Sequence, residues 1–466
     1  MKPIAILLLL VFTSSILSCS KQKLISSRNA RVSVSSDTLR FDTIFTSTGS
    51  VTQLFKIKNE NDQRLNISNV TLMGGALSPF HMNVDGIPGT EAKNIEIEAN
   101  DSIYVFVSVT LSAGNASLPF IVQDSIQIGF NGNKKYVQLE TWGQNANFLR
   151  SRVISGAVTW TNDRPYVIIG GLLIDKNAVL TIDKGCRIYC HADSPIIVDG
   201  TLQVNGERFD STRVYFRGDR LDEPYRNYPA AWPGIFFRPG SRDNILNYAV
   251  IQNAYQALVT EQPADNAKPK LMLNQCRVDN AYDAGILAIQ SSVVANNCLL
   301  SNCGKNIQLV YGGDYRFSHC TVASYSSSLL SHREPVLGIS NHSKTNDVLV
   351  TAGISAFFKN CIFWSEGGIV EDEVVVSRQG NTPFSVDFQN CLWKVKTVPL
   401  HVVSSGMINN TDPGFDSVSV EKHYFDFRLK INSPVLNKGL NTALVIDLDG
   451  KPRSVNLPDL GAYERQ

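Results

Sequence analysis

The sequence predicts an all-β chain: a β-sandwich followed by a right-handed parallel β-helix. Two observations carry the helix. Five segments repeat a polar residue, a Cys and an apolar strand: Gln275-Cys276-Arg277-Val278, Asn297-Cys298-Leu299-Leu300, His319-Cys320-Thr321-Val322, Asn360-Cys361-Ile362-Phe363 and Asn390-Cys391-Leu392-Trp393. The first three cysteines stand 22 residues apart; Cys361 follows 41 later, close to two such steps, and Cys391 a further 30, one step plus a loop. A strand-rich period in the low twenties marks a solenoid whose turns bury their faces only against neighbours, whereas helical repeats run longer. Secondly, Asn280, Asn302 and Ser324 lie four residues after a Cys, and Asn253 holds the matching place one copy earlier. Asn tolerates left-handed backbone, so these are expected to be corner residues whose amides form a ladder. The sandwich rests on a third observation: residues 37–146 lack the repeat but alternate apolar and polar residues between Asn-, Asp- and Gly-rich turns.

At the N-terminus, Met1-Lys2 and the apolar run 4–12 read as a targeting segment too short to span a bilayer. Ile16-Leu17-Ser18-Cys19 resembles a bacterial lipobox. The resemblance implies that residues 1–19 are a lipoprotein signal peptide, that Cys19 is lipidated, and that the chain is an outer-membrane lipoprotein of the cell envelope held to the membrane through that lipid. Whether it faces the periplasm or the outside stays open. The polar stretch 20–36 is expected to be a tether. With 43 basic and 42 acidic residues there is no basic field, so nucleic acid is not an expected partner.

About seven strands over roughly a hundred residues predict the sandwich of residues 37–146. Its stretch 55–72 resembles the immunoglobulin-like domains of the Hydin group, which space or bind. Residues 150–405 are expected to be the β-helix, about a dozen coils. Val198-Asp199-Gly200-Thr201-Leu202 and Trp232-Pro233-Gly234-Ile235-Phe236-Phe237 resemble coils of secreted, Bacteroidetes-type β-helix proteins, which implies a pectin-lyase-like solenoid. Eight cysteines remain besides Cys19. The repeated ones would face inward on strands about 4.8 Å apart, with parallel side chains ill-suited to the near-perpendicular disulfide dihedral, and so should be buried, inert thiols. Cys186 and Cys190 do not suggest zinc, because His191 would point to the opposite face.

Residues 406–466 carry Asp412-Pro413-Gly414-Phe415, Asp447-Leu448-Asp449-Gly450 and Asp459-Leu460-Gly461-Ala462-Tyr463-Glu464. They resemble the C-terminal module of the choice-of-anchor Q β-helix family, departing from it at Asn437-Lys438. The module is expected to close the open end of the solenoid, whose last strands would otherwise template aggregation. Asp447, Asp449 and Asp459 are expected in ion pairs, with calcium as the alternative ligand; no other cofactor is indicated.

The Arg-x-Pro-x-x-Arg pattern of pectate lyases is absent, as are the paired acids of polygalacturonases. What remains is an insertion, residues 217–232, rich in arginines, acids and aromatic rings. Aromatic rings stack on sugar faces, and guanidinium and carboxylate groups bond hydroxyls or uronates. Arg217, Tyr225, Arg226, Tyr228 and Trp232 are therefore the ligand-binding candidates. Asp219, Arg220, Asp222 and Glu223 are the catalytic candidates should the chain be an enzyme. A second polar excursion, residues 331–350 with His332, Arg333, Glu334, His342, Lys344 and Asp347, is a further candidate to line a site. The expected function is non-catalytic glycan binding or scaffolding, with polysaccharide as the candidate partner. The alternatives are a divergent polysaccharide lyase, hydrolase or epimerase, and a surface adhesin.

Overall fold

The computed structural model describes residues 23–45, 50–112, 120–345 and 348–466, and the chain divides into two compact units, Met1–Asn145 and Ala146–Gln466. Cys19, the targeting segment and Asp347 lie outside the described residues.

Among the described residues the first unit has ten strands, where about seven were expected: β1 (Val32–Val34), β2 (Thr38–Phe45), β3 (Gln53–Asn59), β4 (Leu65–Leu72), β5 (Phe80–Val84), β6 (Ile87–Gly89), β7 (Glu91–Ile97), β8 (Ser102–Val109), β9 (Phe120–Phe130) and β10 (Asn133–Gln144). They form two five-stranded sheets, ordered β1-β3-β8-β5-β6 and β2-β10-β9-β4-β7. Both sheets contribute to one core, in which Phe55, Val105 and Val107 of the first meet Ile67, Ile126 and Val137 of the second. The two-residue period is plain in β8, where Ile103, Val105, Val107 and Val109 are buried and Tyr104 and Phe106 exposed. The expected tether is corrected here. Residues 32–34 pair with β3, Leu24 bridges to Arg64, and the Asn131 amide donates to the carbonyls of Ile25 and Ser27, each at 2.9 Å. Burial of Ala30 and Val32 ties this stretch to the core.

In the second unit, 26 strands join into one continuous sheet wound as three parallel ladders. The first ladder runs through Ile196–Val198, Ile235–Phe237 and Gln256–Glu261. The second runs through Thr201–Asn205, Asn244–Asn247 and Leu271–Asn274. The third runs through Arg187–Cys190, Val214–Gly218, Ala249–Gln252, Arg277–Asp279 and Leu299–Ser301. Inward residues of the third ladder, Ile188, Phe216, Ile251, Val278, Leu300, Val322, Phe363 and Trp393, stack through the core. The repeat is thus a parallel solenoid, as its period predicts.

The polar residue before each Cys has a defined task. Gln275, Asn297, His319, Asn360 and Asn390 all adopt left-handed backbone, φ between 49° and 57°, and turn the chain from the second ladder into the third. The cysteines themselves are free and buried, and burial raises the Cys186 thiol to about 12. Two readings of the repeat need correction. Thr321 pairs with Ile362 and the Cys320 amide meets the Cys361 sulfur at 3.5 Å. The 41-residue interval is therefore one coil with an inserted excursion, not two coils. The second ladder counts ten rungs and the third eleven, near the dozen coils expected. The corner ladder is also shorter than predicted. Asn253, Asn280 and Asn302 are left-handed, and Asn280 donates to Asn253 at 2.8 Å, but Ser324 instead donates to Asn306 at 2.7 Å.

Lys270 is fully buried in a loop joining the first and second ladders. Its ammonium donates to the carbonyls of Arg238, Pro239 and Glu261 at 3.0, 2.8 and 2.7 Å. Burial lowers its pKa from 10.5 to about 8. Below about 8 the lysine is charged whether the chain is folded or not. Between about 8 and 10.5 the unfolded chain holds the extra proton, so this group makes stability rise with pH across that window. Urea unfolding through the window should show a rising increment in the parent chain relative to Lys270→Met.

Residues 415–466 do not close the end of the solenoid. They lie along its flank, over the outer face of the third ladder. Phe427, Leu429, Val435, Leu448 and Leu460 cover outward Leu299, Ala323, Ile362, Trp364 and Leu392. Those five outward residues are apolar, and burying them is what the band accomplishes. Its anchors span many coils: Arg213 donates to the Leu448 carbonyl at 2.7 Å, Asn360 to the Leu440 carbonyl at 2.8 Å, and Asn390 to the Lys438 carbonyl at 2.8 Å.

Candidate functional site

Where the band's apolar cover ends, the outer face of the third ladder turns polar. Gln252, Asp279 and Ser301 follow one another in register along one row, and Tyr215, Val250, Arg277 and Leu299 along the next. The hairpin formed by Phe415–Ser419 and Tyr424–Leu429 stands over this surface. Between the two lie adjoining cavities of about 690 and 320 Å³. They share Gln252, Asp279, His423 and Phe425 and so form one open groove.

Asp279 sits where the two cavities meet. It accepts from the Ser301 hydroxyl at 2.7 Å and the Asn302 amide at 3.3 Å, and burial raises its pKa above the usual carboxylate range against those donors. Arg277 is fixed by Asp449 at 3.0 Å, and Asp449 also holds Arg428 at 2.7 Å. At the mouth, Phe209 and Tyr424 are more than half exposed, with the Arg208 guanidinium 4.5 Å over the Phe209 ring. Aromatic faces beside fixed charges in an open trough can hold a polar ligand that has an apolar side.

The predicted loop borders the smaller cavity, which Arg217 and Arg226 line. The corner asparagines hold it in place: Asn253 donates to the Arg226 carbonyl at 2.7 Å and Asn280 to the Asn227 carbonyl at 2.9 Å. Arg217 is bonded to the Tyr189 hydroxyl at 3.2 Å. Tyr225 and Tyr228 are exposed, ring centroids 5.3 Å apart. Trp232 is corrected. It is fully buried in the solenoid core, its indole N–H donating to the Gln252 carbonyl at 2.9 Å, so it cannot meet a ligand.

The predicted acids are not brought together. Asp219 lies 2.7 Å from the His191 ring, Glu223 pairs with Arg226 at 2.5 Å, and Arg220 grips Asp222 through two bonds of 2.7 and 2.8 Å. That grip holds the Asp222 carboxyl below its usual range. None of Asp219, Arg220, Asp222 and Glu223 lines the groove. Asp447 and Asp459 accept backbone N–H bonds from Asp449, Lys451 and Glu464 and from Asn437 and Arg465, all within 3.0 Å. Among the described residues no group of three His, Cys, Asp or Glu side chains could hold a metal ion. His332, from the second excursion, is buried against Glu373 at 3.0 Å rather than facing a cavity.

No family model matches the chain, and no curated protein matches it. Among solved structures it is similar to a family 123 glycoside hydrolase from Clostridium perfringens studied for glycolipid glycan hydrolysis, at 12% identity and a TM-score of 0.19. That likeness covers 26% of this chain and 30% of the enzyme, so the chain spans under a third of the enzyme's length. It is similar too to the ASH/PapD-like domain 7 of human CEP192, at 11% identity and a TM-score of 0.18, over 27% of this chain and 92% of that domain. Likenesses this weak bear on neither mechanism nor ligand.

Proposed function

We propose that this chain is a glycan-binding protein of the cell envelope, anchored through lipid on Cys19, which holds a polysaccharide segment in the groove without cutting it. The observation that carries this reading is the groove itself: exposed Phe209 and Tyr424 at its mouth, above a floor where Asp279 and Arg277 are already engaged by neighbouring side chains. Rings of this kind stack on sugar faces, and fixed polar groups bond hydroxyls without having to be reordered. The fold belonging to this reading is a right-handed, pectin-lyase-like solenoid behind an immunoglobulin-like sandwich, with a choice-of-anchor Q-like band along its flank.

The test is Phe209→Ala with Tyr424→Ala. Stacking contributes about 0.5–1.5 kcal/mol per ring, so losing both rings should lower affinity for the retained glycan about 5- to 140-fold, 1.4 kcal/mol being one decade. Affinity electrophoresis measures it, and an unchanged affinity would sink the groove as the site.

One observation favours catalysis as a second reading. Asp279 is a carboxyl that burial keeps protonated to higher pH, at the junction of two open cavities, as a general acid requires. A lyase, hydrolase or epimerase would then be built on Asp279, not on the loop acids, and Asp279→Asn would abolish its turnover while sparing binding.

A further inference from the structure

Around the asparagine corner from the groove, successive coils read Asn253-Ala254-Tyr255-Gln256, Asn280-Ala281-Tyr282-Asp283 and Asn302-Cys303-Gly304-Lys305. Ala254, Ala281 and Cys303 are buried, and the residue after each is turned outward. Tyr255 and Tyr282 are 45% and 50% exposed, and their rings stack at 5.7 Å between centroids with 23° between planes. Neither hydroxyl has a partner among the described residues. In the third coil the place of the ring is taken by Gly304, where an added Cβ would collide with the Tyr282 carbonyl oxygen. The row of rings therefore ends in bare backbone.

Beside that bare step opens a cavity of about 370 Å³, bordered by Tyr282, Gly304, Lys305, Leu330, Arg333 and Glu334. Asp283 is committed to the scaffold, accepting from Gln256 at 2.7 Å and Lys305 at 3.1 Å. Arg333 and Glu334 are exposed and pair with no described residue. One offers donors and the other acceptors, and their charges offset.

We propose that Tyr282, backed by Tyr255, and this cavity form a second carbohydrate-binding site, a shelf that seats a pyranose unit of a neutral glycan over Gly304. The two near-parallel rings stack on each other, so the open apolar surface is the outer face of Tyr282 above Gly304, which suits the C–H face of a sugar. A unit seated on that face over Gly304 lies in the cavity that Arg333 and Glu334 border, so its hydroxyls meet those two side chains. A shelf carrying one net sign would select an acidic polymer; offset charges select a neutral one. The shelf goes beyond the groove reading and does not depend on it.

Affinity electrophoresis of the full chain in gels containing mixed-linkage β-glucan, xylan, galactomannan or polygalacturonate tests the shelf. At least one neutral polymer should retard the parent chain. Tyr255→Ala with Tyr282→Ala, which removes the contact ring and its backing, should weaken that retardation about 2- to 12-fold, from about 0.5–1.5 kcal/mol for one stacked ring at 1.4 kcal/mol per decade. Tyr255→Phe with Tyr282→Phe, which keeps the rings, should retain it. Should the alanine pair melt early, the surface pair Arg333→Ala with Glu334→Ala must reproduce the loss. Retardation of the alanine pair equal to the parent's in every neutral gel, or no retardation of the parent by any neutral polymer, overturns the shelf. Loss of a neutral polymer in the shelf variants with its retention in Phe209→Ala/Tyr424→Ala supports the shelf independently of the groove; the reverse pattern sinks the shelf alone.

Discussion

Replacing Arg453 by Met is expected to loosen the C-terminal band from the solenoid, at a cost of about 3–5 kcal/mol for a buried charge left unpaired. The Arg453 guanidinium is almost wholly enclosed. It donates twice to the Asn297 side-chain oxygen at 2.8 and 3.0 Å, to Glu464 at 3.1 Å, and to the carbonyls of Gly461 and Ala462 at 2.9 and 3.0 Å. Burial lowers the pKa of Arg453 and raises that of Glu464. Desolvation thus outweighs their mutual attraction, and each is held inside by the other together with neutral partners, Glu464 accepting the N–H groups of Ser454 and Asp459 at 2.9 and 3.0 Å. Methionine fills the volume but strands Glu464 and two carbonyls. Hydrogen exchange over residues 415–466 should rise in the variant before the solenoid strands respond, because the band opens as a local unit. Since Tyr424 and Phe425 belong to the band and wall the groove, glycan retention in the groove should fall with it. Unchanged exchange in the band would show that its apolar contacts hold it without the arginine.

Trp232→Ala is expected to cost about 3–5 kcal/mol through the cavity it leaves. Its indole is enclosed in the solenoid core, hydrogen-bonded to the Gln252 carbonyl. Two residues on, Gly234 has φ of 124°, and an added Cβ would strike the Gln256 carbonyl oxygen. The Trp-Pro-Gly step is thus a structural knot where the 217–232 loop rejoins the first ladder. Urea unfolding of the second unit measures the loss, and a stability equal to the parent's would return Trp232 to the list of surface residues.

That tryptophan shows where sequence reading succeeds and where it stops. The parallel solenoid was legible because every coil must present the same inward residue at the same place, and the cysteines after a left-handed polar residue record it. The 41-residue interval was misjudged because it looks like two steps when its excursion contains strand-like residues of its own. An aromatic residue in a charged insertion gives no sign of which way it points, so Trp232, inward, and Tyr225 and Tyr228, outward, were read alike. The groove was legible only in part. Two-residue alternation after Ala249, Cys276 and Cys298 places Gln252, Asp279 and Ser301 outward, and that polar row was available to be read. What covers the row was not. Nothing local in residues 406–466 distinguishes a plug at the solenoid's end from a band along its side. The choice is made by long-range contacts such as Arg453 with Asn297 and Ala462 with Thr321.

Mass spectrometry of a polysaccharide panel before and after incubation with the chain, alongside retention of each polymer, tests groove binding most directly. At least one polymer should be retained at unchanged mass, and Phe209→Ala with Tyr424→Ala should release it. Dehydrated oligosaccharides would mark a lyase and hydrated ones a hydrolase. Either product, or equal retention by the double variant, would contradict a groove that binds glycan without cutting it.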